Sequence, residues 1–357
     1  MDSHYNPAPE ILTLQILDDD HRNTLDQAVR NVLSTEAAEN AYAQILDGLP
    51  TERSLRDSLD YVRDHPVYVT EHREVCPGYI EKAREFRADF DLSKLQFESI
   101  ALECFQKAAS GSEQFHLRLI ELVTVACHQI GTFLFELDEG AHKHKIYQNW
   151  RDIVLSEKES GVKSRMFYDL PPTSFSHRAY HYSEQYPRDV ADVVGYWAES
   201  KIFGGVILFD RGETEKECKA MWIHGDSIRG PRTLYPPIQE QFDSLLRFLT
   251  TPLEGNSACP LPIHGTRANR PRWHPYHAFA YHHIFRDRYE RSLPPYPPQP
   301  GCVESGIDWP ELDDKRILLL GGFSDSDIDD DQYAAAEERI RNITPSSPLW
   351  RSFGNES

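Results

Sequence analysis

Apolar residues recur at helical spacing through most of the first 110 positions. Leu25, Ala28, Val29, Val32 and Leu33 mark one face, and Ala41 to Leu49 continue the pattern until Pro50. Thr51 and Ser54 open a further helix toward Arg63, which ends at His65-Pro66 because the residue before proline avoids the α region. The spacing predicts two more helices over residues 79–90 and 95–109. Residues 113–137 form the most apolar stretch, with Leu117, Ile120, Leu122, Val123, Ala126, Ile130 and Leu134 distributed round the cylinder. Such a helix is buried, and Gly140 suits its left-handed cap.

Past Pro171-Pro172 the pattern changes. Residues 189–202 read as a helix stopped by Gly204-Gly205. The run Gly205 to Phe209 (GVILF) reads as a buried strand, and Ala220 to His224 as its neighbour across a charged turn. Residues 239–250 and 277–291 read as helices, with a proline-rich loop over 252–276 between them. Residues 294–300 (PPYPPQP) form a polyproline-like connector. Asp325, Asp327 and Asp329 resemble the start of a calcium loop, but Asp330 stands where glycine is needed and Ala336 where the bidentate ligand belongs. The carboxylates are expected instead to favour the N-terminus of a helix over 332–343. The expected fold is α+β and predominantly α-helical, with a small β-sheet in the C-terminal half. Its expected divisions are 1–160 helical, 161–320 mixed and 321–357 an acidic helix and tail.

Composition narrows the function classes. The 357 residues are 39% hydrophobic and 27% charged, enough for a core, and the formal charge is -19. A chain this acidic repels nucleic acid and anionic lipid except at a local basic patch. No run of 18 apolar residues and no basic apolar leader stand in the sequence, so neither a membrane span nor a secretory signal is expected. The six cysteines are scattered without a CxxC pair, which fits reduced thiols and a cytoplasmic setting. GxSxG, GxGxxG and P-loop patterns are absent, and the histidines lack HExxH spacing. No metal site and no cofactor are therefore expected.

Three constellations carry candidate chemistry. Glu121, Thr124, His128, Gln129 and Thr132 share one stripe of the apolar helix. They make either a satisfied buried network or a pocket wall, in which Glu121 suits a general base or a cation-binding carboxylate and His128 is a second catalytic candidate. Asp192, Tyr196 and Glu199 are spaced i, i+4, i+7, with Asp210 and Arg211 at the end of the following strand. Glu199 is the third catalytic candidate, and Asp192, Tyr196, Asp210 and Arg211 are substrate-binding candidates; the alternative is a solvated helix face. Glu199 sits near a helix C-terminus, where a carboxylate is unfavourable, so a cationic partner is expected, either Arg211 or the substrate. Finally, Arg267, Arg270, Arg272 and Arg286 lie among Trp273, Tyr276 and Tyr281, the composition of a nucleic-acid contact. They can equally answer the acidic excess inside the fold.

The segments Phe175-Ser-His177, Gly195-Tyr-Trp-Ala-Glu199 and Phe203 to Arg211, together with Leu122 to Leu137, resemble a group of uncharacterised fungal proteins of specialised metabolism. Beyond that, the chain resembles the fungal arginine-containing cyclodipeptide synthases. Asp313-Asp314 is followed by Lys315, Arg316 and Ile317, so the DDxxE motif associated with that family is not matched there. The resemblance implies tRNA-dependent aminoacyl transfer and cyclisation, with aminoacyl-tRNA as partner. Two other readings stand beside it. One is a cofactor-independent cyclase or lyase acting on a small-molecule substrate with acid-base residues. The other is a non-enzymatic binding protein that uses the polyproline strap.

Overall fold

A computed structural model describes residues 10–58, 64–159, 170–227, 229–252, 258–287, 289, 305–321 and 328–353. Helix makes up 55% and strand 6% of them, the predominantly helical α+β class expected. Side-chain caps set the first helix starts. Asp18 accepts from the His21 backbone N–H and opens α1 (Asp19–Leu33), and Thr35 accepts from Ala38 N–H and opens α2 (Glu36–Asp47). Then follow α3 (Glu52–Ser58), α4 (Pro66–Val69), α5 (Tyr79–Asp89) and α6 (Ser99–Lys107). A two-residue strand β1 (Ile11–Leu12) pairs antiparallel with β2 (Phe97–Glu98), so the helix expected from residue 95 starts after a strand.

Ser112 caps α7 (Glu113–Leu137), which ends at Asp138 in the left-handed region, two residues before the glycine expected there. α7 is the one helix among the described residues long and apolar enough to cross a membrane, and 83% of its apolar window is buried inside the fold. Burial against protein on most of its circumference accounts for the nearly all-round apolar pattern, with Phe133 and Leu137 left exposed. Its neighbours are α1, α2, α6 and above all α9 (Val190–Phe203). The close approach of α7 and α9 depends on Gly195, where a Cβ would lie 2.6 Å from His128 Nε2. Between the two helices in sequence runs α8 (Lys145–Glu159).

Gly204 ends α9 at φ +90°, a conformation that glycine tolerates without strain. The chain turns directly into β3 (Val206–Asp210), which pairs antiparallel with β4 (Met221–His224) in the register Val206 with His224. β5 (Leu234–Tyr235) and, past α10 (Gln239–Thr250) and α11 (Pro275–Tyr281), β6 (Ile284–Phe285) complete the sheet in the order β5-β4-β3-β6. The helix expected over 277–291 therefore stops at Tyr281. His283 takes positive φ, and the next two residues pair with β3 as Phe209 with Phe285 and Asp210 with Ile284. Local apolar spacing suited a helix, but the open edge of β3 captures the segment. α12 (Glu311–Leu320) and α13 (Asp330–Arg341) pack together near the C-terminus. Asp329 caps α13 through Gln332 N–H, with Asp330 and Asp331 in its first turn. The expected strap at 294–300 and the residues 325–327 lie outside the described residues.

The main apolar core joins Leu25, Leu119 and Ile130 to Ile207 and Leu249, so segments on both sides of position 160 share it. A second cluster of Tyr180, Tyr196, Val206, Leu208, Leu234 and Phe279 covers the other face of β3.

Candidate functional site

The polar stripe of α7 meets the polar face of α9 inside the fold. His128 Nε2 is 3.2 Å from Asp192 Oδ1, and His128 Nδ1 is 3.6 Å from Glu199 Oε2. Glu199 is fully buried; its Oε1 accepts from the Ile207 N–H at 2.7 Å and its Oε2 from Arg286 at 2.5 Å. Tyr196 closes the site: its ring meets His128 edge-on at 4.5 Å, stacks on Tyr180 at 4.6 Å and carries the Arg286 guanidinium at 5.3 Å. Burial alone would lower the His128 pKa, but the neighbouring carboxylates of Asp192 and Glu199 outweigh it and raise it. Burial likewise works to raise Glu199, yet Arg286 and His128 hold its pKa below the ordinary value. The imidazole thus stands between two carboxylates that favour its protonated form.

Glu121 belongs to a separate cluster. Its Oε2 is 2.7 Å from Arg118 and its Oε1 2.7 Å from Arg211, all three side chains being buried. Arg118 also donates to Lys216 O, and Arg211 to the Phe285 and Arg286 carbonyls. Arg211, expected as the partner of Glu199, is therefore the partner of Glu121, because β3 directs it away from α9 and toward α7. Asp210 spends its Oδ1 on the Gly212 N–H, a turn contact at 2.8 Å. Asp192, Tyr196 and Glu199 come together as expected and His128 joins them, whereas Glu121, expected beside His128, lies with Arg211 in the other cluster and Asp210 in a turn. What assembles is a buried ionic network that locks α7, α9, β3 and β6.

The four arginines do not form one surface. Arg286 is in the network. Arg272 is buried over the Tyr235 ring at 5.0 Å, where burial brings its pKa down to about 10. Arg270 pairs with Asp314 at 2.5 Å, which also binds Arg339, and exposed Arg267 lies 3.3 Å from Asp313. A basic patch composed of all four is corrected: two of them are interior, and a third is held by a buried carboxylate. The acidic excess drew them inward.

A cleft of about 280 Å³ opens beyond the C-terminus of α9. Its lining includes Asp57, Ser227, Arg229 and His264, with Gly204, Gly225, Gly230 and Gly265 keeping the loop walls bare of side chains. Ser227 Oγ donates to Asp57 Oδ1 at 2.8 Å. Behind this wall stand two groups with displaced pKa values. Lys201 Nζ donates to Ser54 O at 3.1 Å and is 3.6 Å from Asp57 Oδ2; burial lowers its pKa against the pull of Asp57 and Asp226. Asp226 Oδ1 accepts from Arg178 Nε at 2.8 Å, while its buried Oδ2 has no hydrogen-bond partner. Burial raises its pKa against Arg178 and Lys201. Burial thus pushes an amine down and an acid up beside the cleft, the pairing by which a candidate functional site is recognised.

None of these cleft residues stood out in the sequence. Asp57, Lys201, Ser227 and His264 are far apart along the chain, and the glycines fall in no recognised motif; the run Gly204-Gly205 was the one legible pointer. The nearby histidines are structural. His177 Nε2 donates to His224 O at 3.2 Å, and His224 Nδ1 meets the Tyr180 hydroxyl at 2.9 Å. No family model matches this chain, and no curated protein or solved structure does either.

Proposed function

We propose that the chain is an enzyme acting on a small polar substrate in the cleft between α3, the end of α9 and the 225–231 loop, by acid-base chemistry. The observation that carries the reading is the placement of Lys201 and Asp226, with opposed pKa displacements, behind a cleft that presents Asp57 and Ser227. In it Lys201, its ammonium destabilised by burial, supplies or takes the proton, Asp57 orients the Ser227 hydroxyl, and Arg229 meets a substrate anion. The His128–Glu199–Arg286 network serves to fix α9, and with it Lys201, on the sheet. This is the cyclase or lyase class of reaction.

The resemblance to the arginine-containing cyclodipeptide synthases names the first substrate to try, and Asp57 in the cleft favours a cationic group such as a guanidinium. The net charge of -19 and the inward-facing Arg272 and Arg286 weigh against a broad RNA interface. The test is expression in a microbial host with mass spectrometry of the extract, beside incubation of purified protein with arginyl-tRNA. A new small metabolite, lost in Lys201→Met and Asp57→Asn at unchanged melting temperature, is expected. A metabolite that persists in both variants overturns the cleft as the active site, and an arginine-containing cyclic dipeptide from arginyl-tRNA identifies the substrate class.

A further inference from the structure

Outside the lining of the cleft, four side chains from three segments converge. Asp47 ends α2, His72 and Cys76 lie in the loop before α5, and His142 lies in the turn after α7. Their ligand atoms all fall within 4.8 Å of one another. Individual approaches are 2.9 Å from Asp47 Oδ2 to His72 Nε2, 3.4 Å from Cys76 Sγ to His142 Nε2 and 3.9 Å from Asp47 Oδ1 to His142 Nε2. Four donors around a tetrahedral ion at bond lengths of about 2.0–2.3 Å stand about 3.3–3.7 Å apart. The observed spacings bracket that value.

Two features distinguish the group from a hydrogen-bond cluster. Asp47 is completely buried, yet its Oδ1 has no hydrogen-bond partner. A lone carboxylate oxygen in that position costs stability unless a cation meets it. The second feature is the tautomer of His72. Its Nδ1 lies 3.0 Å from the Pro50 carbonyl, which accepts only, so Nδ1 carries the proton. Nε2, the ring atom left for a ligand, faces the Asp47 carboxylate at 2.9 Å, where a metal ion would take the place of the proton that otherwise joins the two. A backbone carbonyl that holds the far nitrogen of a histidine is also the usual outer partner of a metal-bound imidazole.

The backbone holds the ligands in place independently. The Cys76 N–H donates to Asp47 Oδ2 at 2.8 Å, the His142 N–H to Asp47 O at 3.0 Å, and His72 O accepts from Glu52 N–H at 2.7 Å. We propose that Asp47, His72, Cys76 and His142 bind one zinc ion in a closed structural site that ties α2, the loop before α5 and the end of α7 together. One thiolate, two imidazoles and a carboxylate suit zinc; a thiolate and imidazoles are poor ligands for magnesium or calcium, and one cysteine is too few for an iron–sulfur cluster. Four protein donors leave no open coordination position, so the ion's role is to hold the fold.

The experiment uses the full chain, purified reduced and without a polyhistidine tag. Elemental analysis should find about one zinc per chain. Replacement by cobalt should give a thiolate-to-cobalt charge-transfer band in wild type that disappears in Cys76→Ser. Chelation should lower the melting temperature, with recovery on adding zinc but not magnesium. If Cys76→Ser fails to fold, the wild-type cobalt spectrum and the chelation shift still decide the matter. Zinc far below stoichiometry with no charge-transfer band after added metal overturns the proposal. A band retained in Cys76→Ser, or copper or iron at stoichiometry in place of zinc, overturns it equally.

Discussion

Arg286, just beyond β6, reaches Glu199 in the last turns of α9 at 2.5 Å, with both side chains buried. The carboxylate sits against the helix dipole, and the strand-edge arginine together with the Ile207 N–H compensates for it. Removing the negative charge by Glu199→Gln leaves a buried guanidinium and a histidine each short of a counter-charge. A loss of about 3–5 kcal/mol is expected. A double-mutant cycle with Arg286→Met in urea denaturation checks it: the double variant should be less destabilised than the sum of the singles. Strict additivity would mean that the pair contributes nothing to the fold.

Arg286 shows where the sequence could be read and where it could not. Periodicity located α7, α9, β3 and β4 because each has a pattern that its own residues complete. The helix expected over 277–291 failed because β6 exists only by virtue of the edge of β3, a long-range partner. With the strand in place, Arg286 points inward and replaces Arg211 as the cation beside Glu199. Asp192, Tyr196 and Glu199 were legible as one group since helical spacing suffices to align them; that His128 of α7 joins them and parts from Glu121 depends on how the two helices pack. The Asp47–His72–Cys76–His142 group was not, because its members come from three segments with no motif spacing.

Gly195 offers a test of the α7–α9 contact in which two effects have opposite sign. In the middle of a helix, glycine to alanine gains about 1 kcal/mol from propensity. Here the new Cβ would stand 2.6–2.7 Å from three atoms of the His128 ring. The ring cannot recede, being held by Asp192, Glu199 and Tyr196. Gly195→Ala is expected to destabilise by about 1–3 kcal/mol net, as overpacking does. Gly131→Ala, whose Cβ would meet the Ala198 Cβ at 3.0 Å, should be milder. Thermal unfolding of the two variants side by side checks the order.

Acid should destabilise the protein well before its carboxylates titrate. Burial brings His177 down to about 3 and His65 and His274 to about 4, and lowers His224 further from its ordinary value. The Nδ1 atoms of His65, His177 and His274 each accept a backbone N–H from the residue two positions on, a bond the protonated ring cannot accept. Unfolded, these rings bind a proton near pH 6.5, so their contribution is complete above that pH and is lost as pH falls toward the folded values. Each costs about 1.4 kcal/mol per pH unit in that range. His128 has the opposite sign: its raised pKa gives stability in full below about 6.5, lost as pH rises through the folded value. Urea midpoints at pH 7, 6 and 5 should fall steeply, with a shallower fall in His177→Gln. A flat profile would show that these rings are not neutral in the fold.

Lys201 separates a catalytic cleft from a structural one. Its amine is buried near Asp57, which is half exposed, and its pKa is lowered by that burial. Placing an ammonium there costs desolvation that the two carboxylates offset only in part. Lys201→Met keeps the length of the side chain while removing the charge, and with it the Nζ contact 5.9 Å from the Trp197 ring centroid. Were Lys201 purely structural, its loss would leave Asp226 with Arg178 as its remaining cation and lower the melting temperature without a specific effect on turnover. As the proton-transfer group of the cleft, its replacement is expected to leave the melting temperature within a degree or two and to cut product formation by about 10²-fold or more. The pH profile discriminates further: Lys201→Met should remove the ionisation that limits wild-type turnover on the alkaline side, whereas a merely packed lysine would leave the profile in place at reduced yield. Wild-type turnover in Lys201→Met would dismiss the cleft chemistry outright.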